Sequence, residues 1–205
     1  MTRKTEQEVF WETEFGNDYI LRNQGPAALA SSVAFFSKII SKTTKPGSVL
    51  ELGSNIGVNL AAMEQLLPDA SLSAVEINRE AADHLERTLP RVELHCTSIL
   101  EFEPARQWDL VFSKGVLIHL NPQELPRVYD LMFEASSQYI MVAEYYNPSP
   151  VELPYRGHEG KLFKRDFAGE LMDRHSTLTL VDYGFAYHRD NCFPQDDLTW
   201  FLLEK

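Results

Sequence analysis

The residues best placed by type and spacing to do chemistry are Val49-Leu50-Glu51-Leu52-Gly53-Ser54-Asn55-Ile56-Gly57, followed by Glu76. An apolar run that ends in closely spaced glycines turns sharply and lets a ligand approach the backbone. If a helix follows, its free N–H groups favour the negative end of that ligand. Glu76 stands 25 residues after Glu51, at the end of a second apolar run. A carboxylate there accepts the hydroxyls of a ribose. The middle of the loop is Asn55 where glycine is commoner. Asparagine tolerates left-handed backbone better than most residues, so the turn survives. Loop and acid together read as the seat of a nucleoside cofactor. The alternative reading is that Gly53 and Gly57 serve only a tight turn.

The elements that must position this loop follow from periodicity and punctuation. Thr5-x-x-Glu8 has capping-box form and opens a short helix. Pro26 suits the first turn of a second helix, with Leu29, Val33, Phe36 and Ile40 at helical spacing. Strands are predicted over 48–52, 72–76, 92–96, 109–113, 139–145, 178–185 and 198–203. Helices are predicted from the glycine loop to about Leu67, from Asn78 to Leu89, from the Asn121-Pro122-Gln123-Glu124 start signal, and over Phe167, Leu171 and Met172. The stretch from Asn147 to about Lys164 reads as a loop rich in proline and charge. Strands alternating with helices imply an α/β, doubly wound, mostly parallel sheet with helices on both faces. Two final strands with no helix between them imply an antiparallel hairpin at one edge. Residues 1–45 are expected to form a helical lid segment, and residues 46–205 one globular domain.

Seven strands ending in such a hairpin resemble the Rossmann-like methyltransferases, and so does Glu51 two residues before Gly53. That resemblance implies S-adenosyl-L-methionine as cofactor, with its carboxylate at the loop formed by Gly53, Ser54, Asn55 and Gly57. Glu51, Glu76 and Ile77 belong to the same site. NAD ranks lower, because the loop is Gly-x-x-x-Gly and a Tyr-x-x-x-Lys pair is missing from the expected place. At the exit of the third strand such enzymes often carry an acid near the adenine. This chain has Thr97-Ser98-Ile99; Ser98 then offers a polar contact and Ile99 covers the ring, or the segment is an ordinary strand exit. Ser113, Lys114, Gly115 and Val116 would line the cleft at the carboxyl edge of the sheet. His119, one turn further, is a candidate general base or a histidine packed at a helix start.

Composition narrows the class further. The chain has 205 residues, 30 acidic against 19 basic, and a net charge of −11. So acidic a surface disfavours nucleic acid, whose affinity rests on phosphate contacts. No apolar leader or membrane-length apolar run is found, so a soluble chain without a signal peptide is expected. Two cysteines, Cys96 and Cys192, outside any CxxC pair fit a reducing cytoplasm. The six histidines show no metal-ligand spacing, so no metal is expected.

Two blocks carry a closer resemblance. They are Phe10-Trp11-Glu12-Thr13-Glu14-Phe15-Gly16-Asn17-Asp18-Tyr19-Ile20-Leu21-Arg22-Asn23, and Glu144-Tyr145-Tyr146-Asn147-Pro148 with 155–167. Both resemble the pseudaminic acid biosynthesis-associated methylases over nearly the whole chain. The resemblance implies methylation of a nonulosonic acid or a related activated sugar in surface glycan biosynthesis. Physically, Arg156, His158, Lys161, Lys164 and Arg165 make a basic cluster suited to a carboxylate or phosphate. The alternative is a solvated charged loop, with Asp166 pairing to Arg165 or Arg22. The N-terminal block would close over the cleft, with Tyr19 and Arg22 at the cofactor. Asp18, Asn23 and Asn147 would meet the substrate. Alternatively its aromatics only pack the first helices onto the sheet. Candidates for the base are His119, His158, Tyr145 and Tyr146. A non-catalytic cofactor-binding component of a glycan assembly pathway, and a methyltransferase of unrelated small substrate, stand as alternatives.

Overall fold

The computed structural model describes residues 4–20 and 25–205. Its main sheet has seven strands: β1 (Ser48–Leu52), β2 (Ser71–Glu76), β3 (Glu93–Cys96), β4 (Trp108–Lys114), β5 (Ser136–Glu144), β8 (Thr179–Ala186) and β9 (Leu198–Glu204). Their order is β3-β2-β1-β4-β5-β9-β8. The first five pair in parallel, while β9 runs antiparallel to both β5 and β8. This is the expected α/β sheet with its terminal hairpin.

The strand sequences explain the layering. In β1, Val49 faces one side and Leu50 and Leu52 the other, and all three are buried. The same alternation runs through β4 and β5. Strands covered on both faces read as near-continuous apolar runs. One face is covered by α3 (Pro26–Ile40), α4 (Val58–Leu66) and α5 (Arg79–Thr88), through Phe36, Ile39, Leu60, Met63 and Leu85. The other is covered by α6 (Leu125–Ala135) and α7 (Phe167–Arg174), through Val128, Met132, Phe167 and Leu171. The face of α3 that packs holds Ser32, Phe35, Phe36 and Ile39, while Leu29, Val33 and Ile40 are only partly covered. That packing makes α3 part of the core rather than of any lid.

Two local expectations need correction. The stretch 147–164 is not a loop. It holds β6 (Val151–Tyr155) and β7 (His158–Lys164), an antiparallel pair outside the main sheet. Arg156 and Gly157, with φ of 52° and 88°, form its two-residue turn. Positive φ at both central residues gives a twist that matches the strands, which is why glycine sits there. The start signal at Asn121 is also displaced. Asn121 Oδ1 accepts from Gln123 N at 3.0 Å and makes a local turn, while α6 begins at Leu125 with Pro126 in its first turn.

Before the sheet lie α1 (Glu6–Glu12) and α2 (Glu14–Tyr19). The Thr5/Glu8 capping box is formed as expected. These short helices are tied across the carboxyl edge of the sheet. Asn78 Nδ2 donates to Trp11 O (3.2 Å) and Asn17 Oδ1 (2.7 Å), and Gln7 Nε2 donates to Gly160 O (2.8 Å).

Candidate active site

The glycine loop is pinned to the end of β2. Gly53 N and Ser54 N both donate to Val75 O, at 2.9 and 3.1 Å. Asn55 takes up a φ of 48°, as its side chain permits, and its N–H donates to Glu76 Oε2 at 2.7 Å. Gly57 then caps α4. Glu76 Oε1 accepts from Asn78 N at 2.7 Å. Burial raises the Glu76 pKa, against backbone N–H groups of Asn78, Asn55 and Ile77 that lower it. The carboxylate keeps a free lone pair for a ligand hydroxyl.

Glu51 lies behind the loop, fully buried, where its Oε1 accepts from Asn59 Nδ2 at 2.7 Å. Burial pushes its pKa up to about 8, with the Lys114 charge opposing. A carboxyl whose folded pKa is raised contributes stability that is complete below its ordinary value of 4.5 and lost as pH rises through about 8. Thermal unfolding followed from pH 5 to pH 9 should therefore show a decline that Glu51→Gln flattens. The relief at pH 9 is on the order of a few kcal/mol. Parallel declines in both proteins would show that Glu51 is not the buried acid responsible.

The carboxyl edge of β1, β2 and β4, roofed by α1 and α2, encloses a cleft of about 510 Å³. Gly53, Ser54, Asn55, Glu76, Ile77, Ser98, Ile99, Lys114, Gly115, Val116 and Tyr19 all line it. Gly57 and Ser113 do not. Gly57 faces Leu85 and Leu89, and Ser113 Oγ donates to Glu144 Oε1 at 2.9 Å. Arg22 and Asn23 lie outside the described residues. Ser98 reaches the cleft, but its hydroxyl is engaged: it donates to Glu8 Oε1 and accepts from Leu100 N.

One end of the cleft is aromatic. The His119 ring sits 4.7 Å from Trp11 and 4.6 Å from Tyr155, centroid to centroid, and Tyr19 packs edge-on to Trp11. His119 Nδ1 lies 2.6 Å from Lys161 O. A carbonyl only accepts, so Nδ1 carries the hydrogen and Nε2 holds the lone pair. Burial lowers the His119 pKa to about 4, so the ring is neutral at neutral pH. Glu144 fixes the turn that presents it, accepting from Val116 N (3.2 Å) and Leu117 N (3.1 Å). Tyr145 and Arg156 line the same cleft. Burial first, then Asp196, hold the Tyr145 phenol well above its usual pKa.

The remaining expected site residues fall elsewhere. Strand alternation sends Tyr145 into the cleft and Tyr146 to the far side, 42% exposed beside Phe201. His158 packs on Phe10 and Phe15 at the hairpin tip. Lys161 sits over Phe10 with Glu6 3.6 Å away, and Lys164 lies over the Tyr145 ring. Arg165 pairs with Glu170 at 2.8 Å, while Asp166 caps α7, so the pairing expected of Asp166 goes to Glu170. Asn147 donates to Ser149 O in a local turn, and Asp18 is exposed outside the cleft lining. Of the basic cluster, Arg156 alone among the described residues lines the cleft.

Sequence reasoning missed Gln7, Glu8 and Tyr155, and missed the β8–β9 connection that brings His188, Gln195 and Asp196 to the cleft. The signal for Tyr155 was present, in the alternation Val151-Leu153-Tyr155 before an Arg-Gly turn. Nothing local marks the β8–β9 connection, because its place is set by sheet order.

The cleft can be tested for fit to a polar cofactor. Ser54 Oγ, Gln7 Oε1 and Trp11 Nε1 are buried with no hydrogen-bond partner, and all three belong to residues that line it. Buried polar atoms are normally paired. One amide oxygen that accepts, one indole N–H that donates and one hydroxyl that does either, all in one cavity, fit a ligand that offers both kinds of partner. No cluster of metal-ligating side chains is found among the described residues.

Comparison with known proteins agrees with the geometry. Residues 49–137 match the model of a methyltransferase domain. No curated protein sequence matches the chain. Among solved structures, magnesium protoporphyrin IX methyltransferase from Synechocystis PCC 6803 with bound SAM is similar at a TM-score of 0.70 and 11% identity, covering 100% of both chains. The N-methyltransferase NodS from Bradyrhizobium japonicum WM9, in complex with S-adenosyl-L-homocysteine, gives 0.70 and 17%, covering 98% of this chain and 99% of that one. The plantazolicin methyltransferase BpumL in complex with SAH gives 0.69 and 15%, covering 97% and 93%. The chain thus carries a methyltransferase domain over residues 49–137 and shares the Rossmann-like fold of these S-adenosylmethionine-dependent methyltransferases.

Proposed function

We propose that the chain methylates a hydroxyl of a small anionic acceptor, a sugar acid or nucleotide-activated sugar, in a reducing cytoplasm. The observation that carries this reading is His119: a neutral imidazole, its Nδ1 hydrogen held by Lys161 O, on the wall of the cleft. S-adenosylmethionine, when bound, supplies an electrophilic methyl group together with its own leaving group. The chain's own residues orient the acceptor and receive its proton. Gly53, Ser54, Asn55 and Gly57 form the turn and helix start for the cofactor carboxylate, and Glu76 takes the ribose hydroxyls. Ile77, Ile99 and Val116 would flank the base, with Gly115 at its edge. His119 Nε2 accepts the hydroxyl proton as the new bond forms. Trp11, Tyr19 and Tyr155 give flat apolar faces for a sugar ring and keep water out. The α1–α2 segment acts as the lid.

Arg156 at the hairpin tip is the group for the acceptor's anionic part, and it supports the resemblance to the pseudaminic acid-associated methylases. A charge-assisted hydrogen bond of this kind is worth about 1.5–3 kcal/mol. Arg156→Gln should therefore raise KM for sugar acids about 10-fold or more with kcat little changed. A steady-state assay of S-adenosylhomocysteine release across sugar acids, nucleotide sugars and their neutral counterparts checks this. Equal turnover of the neutral counterparts contradicts the anionic reading, and no turnover of any acceptor by a protein that binds cofactor favours a non-catalytic component. A second reading, methylation of an amine on the same acceptor, is favoured by Asp196, whose carboxylate lines the cleft near Tyr145. Mass spectrometry of the product tells the two apart by the atom that carries the methyl group.

A further inference from the structure

The exit of β3 lacks an acidic side chain in the sequence, as Thr97-Ser98-Ile99 follows Cys96. The structure puts one there from elsewhere in the chain. Glu8 of α1 reaches the β3 exit, where its Oε1 accepts from Ser98 Oγ, and Glu8 lines the cleft. Its Oε2 is held by Thr5 N (2.7 Å) and Thr5 Oγ1 (3.0 Å). Beside it, Gln7 is 7% exposed and also lines the cleft. Its amide is oriented by Gly160: Nε2 donates to that carbonyl at 2.8 Å, so the other atom is the oxygen. That oxygen, Oε1, has no partner.

The order of strands says what stands opposite. With the ribose at Glu76 on β2 and the glycine loop on β1, a nucleoside laid across the strand ends carries its base toward β3, the next strand outward. Of the α1 side chains that line the cleft, Gln7 and Glu8 offer acceptors, while the Trp11 indole packs at the His119 end. Gln7 Oε1 has no hydrogen of its own, and Glu8 has only oxygens to offer. An acceptor pair matches an exocyclic amine, and it opposes a carbonyl at the same position.

We propose that Gln7, seconded by Glu8, is the residue that reads the adenine amine, so that the N-terminal helix completes the cofactor pocket. This rests on the cofactor reading given above. It has a consequence for order of events: α1 must be seated before the cofactor is held at full affinity. Its seating contacts, Gln7 to Gly160 and Trp11 O to Asn78, come from the hairpin and from α5. The same helix carries Trp11 to the His119 end, so one element serves both halves of the cleft.

Titration calorimetry with two probes tests it: S-adenosylhomocysteine, and the analogue in which hypoxanthine replaces adenine. The natural chain should prefer adenine at least about 10-fold. Gln7→Met, which keeps the length of the side chain and removes the acceptor, should bind S-adenosylhomocysteine about 10-fold more weakly and lose most of that preference. Gln7→Ala, a helix-favouring change, is the second variant should the first not fold. Weaker binding with the preference intact means a merely structural role and overturns the proposal, as does a natural chain that binds both probes equally. A natural chain that binds neither probe refutes the cofactor reading instead, a result distinguishable from the other two.

Discussion

Gly53→Ala is expected to reduce binding of S-adenosylhomocysteine by at least about 30-fold while leaving a folded chain. A Cβ built on Gly53 would lie 2.6 and 2.8 Å from the two γ-carbons of Val116. Both methyl-bearing carbons face the added atom, so no rotation of a stiff β-branched side chain clears it. Val116 itself cannot retreat easily, because its N–H is held by the Glu144 carboxylate at 3.2 Å. The φ of 77° at Gly53 adds a second cost, since left-handed backbone disfavours any L side chain. The two effects together cost about 2–4 kcal/mol. The loop must then shift away from Val75 O, and with it the N–H of Asn55 that Glu76 now holds. Calorimetry and a melting curve on the same sample check both halves. Cofactor affinity within 3-fold of the natural chain, as a rough bound on the ordinary effect of a surface change, would show that the loop is not the cofactor seat.

His119→Gln should lower kcat by about 100- to 1,000-fold with cofactor affinity nearly unchanged. The reason is the arrangement of the ring: Nδ1–H spent on Lys161 O, Nε2 left with its lone pair, and the imidazole kept neutral by burial. The pH dependence follows with a definite sign. With the folded pKa lowered from 6.5 to about 4, the ring stays a competent base down to about pH 4, so kcat should hold through pH 6 and fall only near pH 4. The same shift makes His119 contribute stability that is present above 6.5 and lost as pH falls toward 4. A rate profile that breaks near 6.5, or that keeps the same acid limb in His119→Gln, assigns the base to another group. Glu144 acts on this behaviour only through position, since its carboxylate binds the backbone of the turn and not the ring.

How far these features could be read from the chain depends on the range over which each is encoded. The seven-stranded sheet and its hairpin were legible because buried parallel strands are short apolar runs with turn residues at both ends. The glycine loop, Asn55 at positive φ, Glu76 and the Thr5/Glu8 capping box were legible because each is set by a few adjacent residues. The β6–β7 hairpin was lost to three prolines, Pro148, Pro150 and Pro154, which read as loop and masked the alternation of Val151, Leu153 and Tyr155. Pro154 is tolerated because this pair stands apart from the main sheet and has free edges. That error then spread to the site, since a loop lets all five basic residues converge while a strand sends its side chains to opposite faces. Gln7, Glu8 and Asp196 were not legible at all. Gln7 and Glu8 are placed in the cleft by contacts across 90 or more residues, Glu8 with Ser98 and Gln7 with Gly160, and Asp196 by the sheet order that carries the β8–β9 connection there.

The measurement that tests the central claim most directly is calorimetric titration of the natural chain with S-adenosylhomocysteine and, separately, with NADH. The geometry predicts binding on the order of micromolar for the first and none for the second. NADH binding alone, or neither ligand bound, would contradict the assignment of the cleft between β1, β2 and β4 to S-adenosylmethionine.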